Sequence, residues 1–92
     1  MSVVYCFSVA AEASPGSLAR VLDVFSLYGQ LPSQLISQRH GAEGEELVVE
    51  AQIDEMTADT AAAVARRLAR LVGVQNVLFS AKRRGEPAKW AA

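Results

Sequence analysis

Cysteine is nearly absent from this chain of 92 residues, in which Cys6 is the only one. A single cysteine excludes an internal disulfide and a cysteine-rich metal site, and it is typical of a reducing, cytoplasmic environment. Neither sign of charge is in excess, because nine basic and ten acidic residues give a formal net charge of −1. This balance provides no electrostatic basis for binding nucleic acid or a membrane surface.

Long hydrophobic runs are also missing, since no apolar stretch approaches the roughly 20 residues that a membrane-spanning helix needs. The segment Met1–Tyr5 lacks the basic residues and the cleavage site of a secretory signal peptide. Apolar residues nevertheless make up 51% of the chain, which favours a globular core over disorder. We predict one domain over residues 1–81, followed by a flexible C-terminal tail at residues 82–92.

The first half of the chain predicts a strand, a helix and a second strand. Residues 3–10 are apolar on both faces, which is typical of a central strand. Ser14 is a suitable N-cap for a helix that has Pro15 at its first position. Apolar positions then recur at intervals of three and four, at Leu18, Val21, Leu22 and Phe25. Gly29 ends this helix, and residues 33–40 form a more polar edge strand.

The second half predicts a hairpin partner, another helix and a last strand. Residues 46–53 alternate between apolar and polar side chains, as a half-buried strand does. Thr57 caps a helix over residues 58–72, whose inner face we expect to include Val72. Residues 74–81 form the last strand. The order β-α-β-β-α-β predicts an α+β, ferredoxin-like fold, with a four-stranded antiparallel sheet and two helices on one face.

Groups that could carry out catalysis are few and scattered. His40 is the only histidine and lies beside a glycine-containing loop, which predicts a solvated turn residue. Cys6 lies in mid-strand, as a buried and inert thiol does. Glu43, Glu45 and Glu46 form a solvated charge cluster at the hairpin. Since no nucleophile has a base and no two carboxylates form a pair, we predict no catalysis, no metal and no cofactor.

Other modules of this fold carry motifs that this sequence lacks. The first loop, Ala11–Ser14, has no C-x-x-C motif of a metal chaperone. Residues 8–19 lack the phosphate-binding arginine of an acylphosphatase-like enzyme, and residues 46–53 lack the stacking aromatics of an RNA-recognition module. What remains is a loop that leads into a helix N-terminus, where free N–H groups of Gly16 and Ser17 could hold an anion. An ordinary capped helix start is the alternative interpretation.

The first helix also carries a recognisable pattern. Residues 15–22, Pro-Gly-Ser-Leu-Ala-Arg-Val-Leu, followed by Phe25 and Gly29, resemble the P-G-x-L-A-R-V signature that opens helix one of ACT domains. The order of elements extends the resemblance over residues 3–81. Among ACT proteins, the sequence is most similar to the short regulatory small subunit of acetolactate synthase.

This resemblance implies a homodimer that binds an amino-acid effector at its interface. The site it implies consists of the first loop and the second strand, namely Ala13, Ser14, Pro15, Gly16, Ser17, Leu31 and Ile36. At Ala13 and Leu31 the sequence departs from the family, which commonly has a polar residue there that anchors the ligand.

Three functions therefore remain open. The first is a non-catalytic regulatory subunit that associates with a large biosynthetic enzyme such as acetolactate synthase. The second is a free-standing ACT homodimer that senses a small metabolite, and the third is an enzyme of ferredoxin-like fold. Co-purification separates the first two, because only a regulatory subunit requires a large partner.

Overall fold

Six elements follow one another in the predicted order in the computed structural model, which describes residues 3–87. They are β1 (Val3–Glu12), α1 (Pro15–Leu27), β2 (Gln34–His40), β3 (Glu46–Asp54), α2 (Ala58–Ala69) and β4 (Val74–Arg83). Within this region no helix is both long and apolar enough to cross a membrane.

The four strands form one sheet in the order β2-β3-β1-β4, and every neighbouring pair is antiparallel. The apolar strand β1 is central, and the polar strand β2 lies at an edge with all seven of its residues exposed, as predicted. The register between β1 and β4 shifts between Ala10 and Ala11, which marks a bulge. The predicted ferredoxin-like fold is confirmed.

The hydrophobic core lies between one face of the sheet and the two helices. Its largest fully buried side chains come from four elements and include Phe7, Phe25, Ile53 and Leu68. The ring of Phe7 meets Phe25 edge to face at 5.6 Å and stacks on Phe79 at 5.9 Å. Burial of each such side chain stabilises the fold by about 1.5–3 kcal/mol. Because residues of both helices join the same cluster, both helices cover the same face of the sheet.

Helix α1 ends as the sequence predicts. Gly29 adopts a φ of +67°, in the left-handed region that favours glycine. Its N–H donates to the carbonyl of Ser26 at 2.9 Å, and the N–H of Gln30 donates to Phe25 at 2.8 Å. These two bonds form a Schellman motif, which satisfies carbonyls that the end of the helix leaves open.

Helix α2 begins as predicted but ends three residues early, at Ala69 instead of residue 72. At its start, the hydroxyl of Thr57 accepts the N–H of Thr60 at 3.1 Å. At its end, the N–H of Leu71 donates to the carbonyl of Leu68, three residues earlier. This bond tightens the last turn and ends the helix. The prediction that Val72 faces the core is wrong, because the tightened turn leaves it 82% exposed.

Strand β4 continues two residues beyond the predicted limit and then turns over the helix-free face of the sheet. The guanidinium of Arg84 donates to the carboxylate of Asp54 at 2.9 Å, although β1 lies between β4 and β3. Lys82 also donates to the carbonyl of Glu86 in this turn. Of the tail predicted for residues 82–92, residues 88–92 lie outside the described part of the chain.

Candidate ligand site at the start of helix α1

The first loop borders a cavity of about 320 Å³, which we call the Arg39 cavity. Its lining consists of Ala13, Ser14, Pro15, Arg39 and Leu47. The cavity therefore lies where β1 passes into α1 and faces the β2–β3 hairpin. Its volume is near the lower limit of pockets that hold small ligands, which begin at about 300 Å³.

Backbone hydrogen bonds hold the first loop on two sides. The N–H of Glu12 donates to the carbonyl of Gly73 at 2.8 Å, and the N–H of Ala13 donates to Glu45 at 3.0 Å. The first bond joins the loop to the turn before β4, and the second joins it to the β2–β3 hairpin. The polypeptide wall of the cavity is thus fixed before any ligand binds, which lowers the entropic cost of binding.

Ser14 occupies the N-cap position of α1, but its side chain makes no capping bond to the backbone. The Ser14 hydroxyl lies 3.0 Å from the Ser17 hydroxyl. Ser17 is only 3% exposed, and its hydroxyl donates to the carbonyl of Glu12 at 2.6 Å. The predicted side-chain cap is therefore wrong, because Ser17 draws the Ser14 hydroxyl into a pair of its own.

The anion-binding prediction for this helix start also requires a correction. The N–H of Ser17 is not free, since it donates to the carbonyl of Ser14 at 3.1 Å. The guanidinium of Arg20 lies directly beside Gly16: a Cβ atom added at Gly16 would be 2.5 Å from Nη1. Arg20 therefore occupies the space next to Gly16 that we had assigned to an approaching ligand.

Arg39 is the charged residue of the cavity, and sequence reasoning missed it. Its Nε donates to the carbonyl of Gly44 at 2.9 Å, so the hairpin holds the guanidinium while the terminal nitrogens retain their donors. Arg39 pairs with Leu47 across the β2–β3 register, and Leu47 points to the core. This alternation was the signal that could have placed Arg39 on the helix side of the edge strand.

Two predicted site residues lie elsewhere within a single chain. Leu31 is 87% exposed and borders a separate depression of about 370 Å³ beyond the end of α1. Ile36 pairs with Glu50 on the helix-free side of β2, away from Arg39. One chain thus brings together Ala13, Ser14 and Pro15 but not Leu31 or Ile36. Within one chain, neither Leu31 nor Ile36 reaches this loop.

The groups weighed as catalysts lie apart from the Arg39 cavity. Cys6 is fully buried as predicted, and desolvation by that burial raises the pKa of its thiol. His40 is exposed, as expected of a solvated residue. Backbone N–H groups of Glu45 itself and of Glu43 lower the pKa of the Glu45 carboxylate, which remains in solvent. Across residues 3–87, no group of three His, Cys, Asp or Glu residues could hold a metal.

Solved structures share this architecture at low sequence identity. The ACT domain of GTP pyrophosphokinase from Chlorobium tepidum matches with a TM-score of 0.72 and 14% identity, over 87% of this chain and 100% of that chain. The C-terminal domain of the MgtC protein from Mycobacterium tuberculosis matches with a TM-score of 0.71 and 13% identity, over 94% of both chains. The ligand-free regulatory subunit of aspartate kinase from Thermus thermophilus has a TM-score of 0.65 and 13% identity, over 88% of this chain and 58% of that one.

Such identities show a common fold alone, and no curated protein matches the sequence significantly. The family comparison is more informative, because the model of the ACT-like domain matches residues 1–84, which is most of the chain. That match covers all six elements, including the first loop and both strands of the hairpin that faces it. The chain belongs to the ACT-like domain family.

Proposed function

We propose that this chain is a non-catalytic regulatory domain that binds a small carboxylate-bearing metabolite, an amino acid foremost, in the Arg39 cavity. The observation that carries the proposal is the position of Arg39 across the cavity from the start of α1. A carboxylate would pair with the free nitrogens of its guanidinium, while Leu47 and Pro15 contact an apolar side chain. The carboxylate and the apolar side chain of an amino acid thus each have complementary residues in the lining of the cavity.

The dimer proposal rests on the edge strand. All residues of β2 are exposed, and Leu35 and Ile36 are large apolar members of it. An edge strand with free backbone groups pairs readily with a second copy of itself around a two-fold axis. In such a dimer Leu31 of the facing subunit would complete the ligand site, while Ile36, on the helix-free side of β2, would pack along the seam between the two sheets.

The partner that we propose is an amino-acid biosynthetic enzyme of the cytoplasm, with acetolactate synthase as the first candidate. Membership of the ACT-like family supports a regulatory role, and one structural neighbour is the regulatory subunit of aspartate kinase. The domain would act by a population shift, in which an effector alters the enzyme only through different affinities for its two states.

Absence of catalysis is part of the same proposal. The His40 side chain lies in solvent at the end of an edge strand, and the Cys6 thiol is buried with a raised pKa. A thiol that stays protonated is a poor nucleophile, and a histidine without an orienting partner is a weak base.

Calorimetric titration with valine, leucine and isoleucine tests the ligand. We expect binding by the wild type and a loss of about tenfold or more in Arg39→Gln, because a charge-assisted hydrogen bond is removed. The matched control is His40→Gln, an exposed neighbour on the opposite side of β2, which should bind as the wild type does. Equal affinities of the wild type and Arg39→Gln would place the ligand elsewhere.

Two further measurements test the assembly. Light scattering should report a dimer for the wild type and a monomer for Ile36→Lys, since a charge on an edge strand opposes pairing. Val72→Lys is the control, because Val72 is exposed and lies outside β2. Co-purification with the catalytic subunit of acetolactate synthase separates a subunit from a free-standing sensor: a dimer that binds amino acids but no large protein would support the free-standing sensor.

A further inference from the structure

Three arginines of α2 and its C-cap border a second, smaller cavity beside the C-cap residue of α1. Arg66, Arg67 and Arg70 line it together with Tyr28 of the α1 C-cap and the small residue Ala63, and its volume is about 100 Å³. We call Arg66, Arg67, Arg70 and Tyr28 the arginine cluster. Ala63 lies one turn before Arg67, so its methyl group leaves the space between the guanidinium groups open.

Within the described residues, no salt bridge pairs the exposed arginines of this cluster with an acidic side chain. Arg66 and Arg70 are four positions apart and Arg67 and Arg70 are three, so the like charges share one helix face and repel each other. The one salt bridge found in residues 3–87 joins Arg84 and Asp54, neither of which lines this cavity. A helix C-terminus favours nearby positive charge, but this does not require three neighbouring cations. Asp23 shares an adjoining depression with Arg67 but forms no salt bridge with it.

The hydrogen-bond donors of the cluster are also unused. Each guanidinium carries five N–H donors in a planar fork, and Tyr28 adds a hydroxyl. None of the side-chain hydrogen bonds formed among residues 3–87 involves these four side chains, although several other polar groups of the region do form them. A cavity lined this way offers many donors and, apart from the Tyr28 hydroxyl, no acceptor side chain, which is the complement of an oxyanion.

We propose that the arginine cluster is a second binding site, which takes the phosphate group of a small phosphorylated ligand. A cavity of about 100 Å³ admits one tetrahedral oxyanion but no larger part of a ligand, which would extend into solvent. A phosphate dianion compensates more positive charge than a carboxylate does, and its oxygens match several guanidinium forks at once. The site is separate from the Arg39 cavity, since the two have no lining residue in common.

The test is a titration of the full chain with inorganic phosphate, with sodium chloride holding the ionic strength constant. Nitrogen-15 NMR should show saturable shifts at Tyr28 and in the second half of α2. Arg70→Gln should weaken binding by about tenfold or more, because it removes a charged donor pair. Arg83→Gln is the matched control, since Arg83 is an exposed arginine on β4 outside the cluster.

The Arg70→Gln variant should fold, because removing one of three repelling charges should leave α2 intact or stabilise it. Equal phosphate affinity in the wild type and Arg70→Gln would overturn the proposal, as would shifts that sodium chloride alone reproduces. Competition by acetate at the same concentration as phosphate would overturn the phosphate assignment and point to acidic side chains of a protein. Binding of phosphate that Arg39→Gln leaves unchanged would separate this site from the proposed amino-acid site.

Discussion

Gly16 and Arg20 are one turn apart on α1, and the guanidinium of Arg20 fills the room that the missing side chain of Gly16 leaves. The Arg20 Nε is buried there without a hydrogen-bond partner in the described structure. Gly16 therefore serves the packing of an arginine, and a carboxylate introduced at position 16 would meet a positive charge.

The first prediction concerns the energetic coupling of these two residues. In an Arg20→Ala background, Gly16→Ala should stabilise the protein by about 0.5–1 kcal/mol, because alanine favours a helix more than glycine does. With Arg20 present, the gain should be smaller, since the new Cβ must displace the guanidinium. Urea denaturation of the four proteins in this double-mutant cycle gives the difference between the two stability gains, which is the coupling free energy of positions 16 and 20. Equal gains in both backgrounds would mean that Arg20 moves away without cost.

A second prediction compares two leucines. Leu68 is fully buried in the core, so Leu68→Ala should lower the free energy of unfolding by about 2–5 kcal/mol. Leu27 is 62% exposed on α1, and Leu27→Ala should change the free energy of unfolding by about 0.5 kcal/mol or less. Thermal unfolding of both variants provides the measurement. Similar losses in the two would contradict the packing of α2 described above.

Replacing Ser17 by alanine should destabilise the protein more than replacing Ser14, although Ser14 occupies the N-cap position, where such a loss is usually larger. Ser17→Ala removes the donor to the Glu12 carbonyl and should cost about 1–3 kcal/mol. Ser14→Ala should cost less than about 0.5 kcal/mol, because its hydroxyl makes no backbone cap. Chemical denaturation of each variant decides the order; a larger loss at Ser14 would restore it as the side-chain cap.

Cys6 should make stability fall at alkaline pH. Burial raises the pKa of its thiol above the ordinary value of 9.0, so the unfolded chain releases this proton at lower pH than the folded one. The contribution is fully present below pH 9.0 and is lost as the pH rises from there through the folded pKa. Unfolding of the wild type and Cys6→Ala between pH 7 and pH 10.5 should therefore give steeper alkaline destabilisation in the wild type. Parallel curves would contradict this assignment.

Local chemistry made much of this fold predictable. Gly29 ends α1 because glycine adopts a positive φ easily, and Thr57 caps α2 with its own hydroxyl. Both helix boundaries can therefore be predicted from a few neighbouring residues. The polar edge strand β2 was predictable because hydrophobic patterning distinguishes a buried strand from an exposed one.

The errors arise where a particular contact or chain direction, which residue type and periodicity do not reveal, decides the outcome. Ser14 has the right type and position for a cap, but Ser17 holds its hydroxyl. Arg39 belongs to the candidate site only because the β2–β3 register turns it toward the first loop, about 25 residues away in sequence. Val72 follows the helical period, but the tight turn before Gly73 takes it out of the helix.

The hydrogen bond from Glu12 to Gly73 joins the first loop to the turn that follows α2, and it thus lies between the two proposed sites along the chain. Glu12 immediately precedes Ala13 of the Arg39 cavity, and Gly73 lies three residues after Arg70 of the arginine cluster. Each ligand would therefore bind close in sequence to one end of this hydrogen bond. Coupling between binding sites is reciprocal, so the factor by which phosphate alters amino-acid affinity must equal the factor by which the amino acid alters phosphate affinity. Two titrations, each at saturating concentration of the other ligand, would thus measure a single quantity twice.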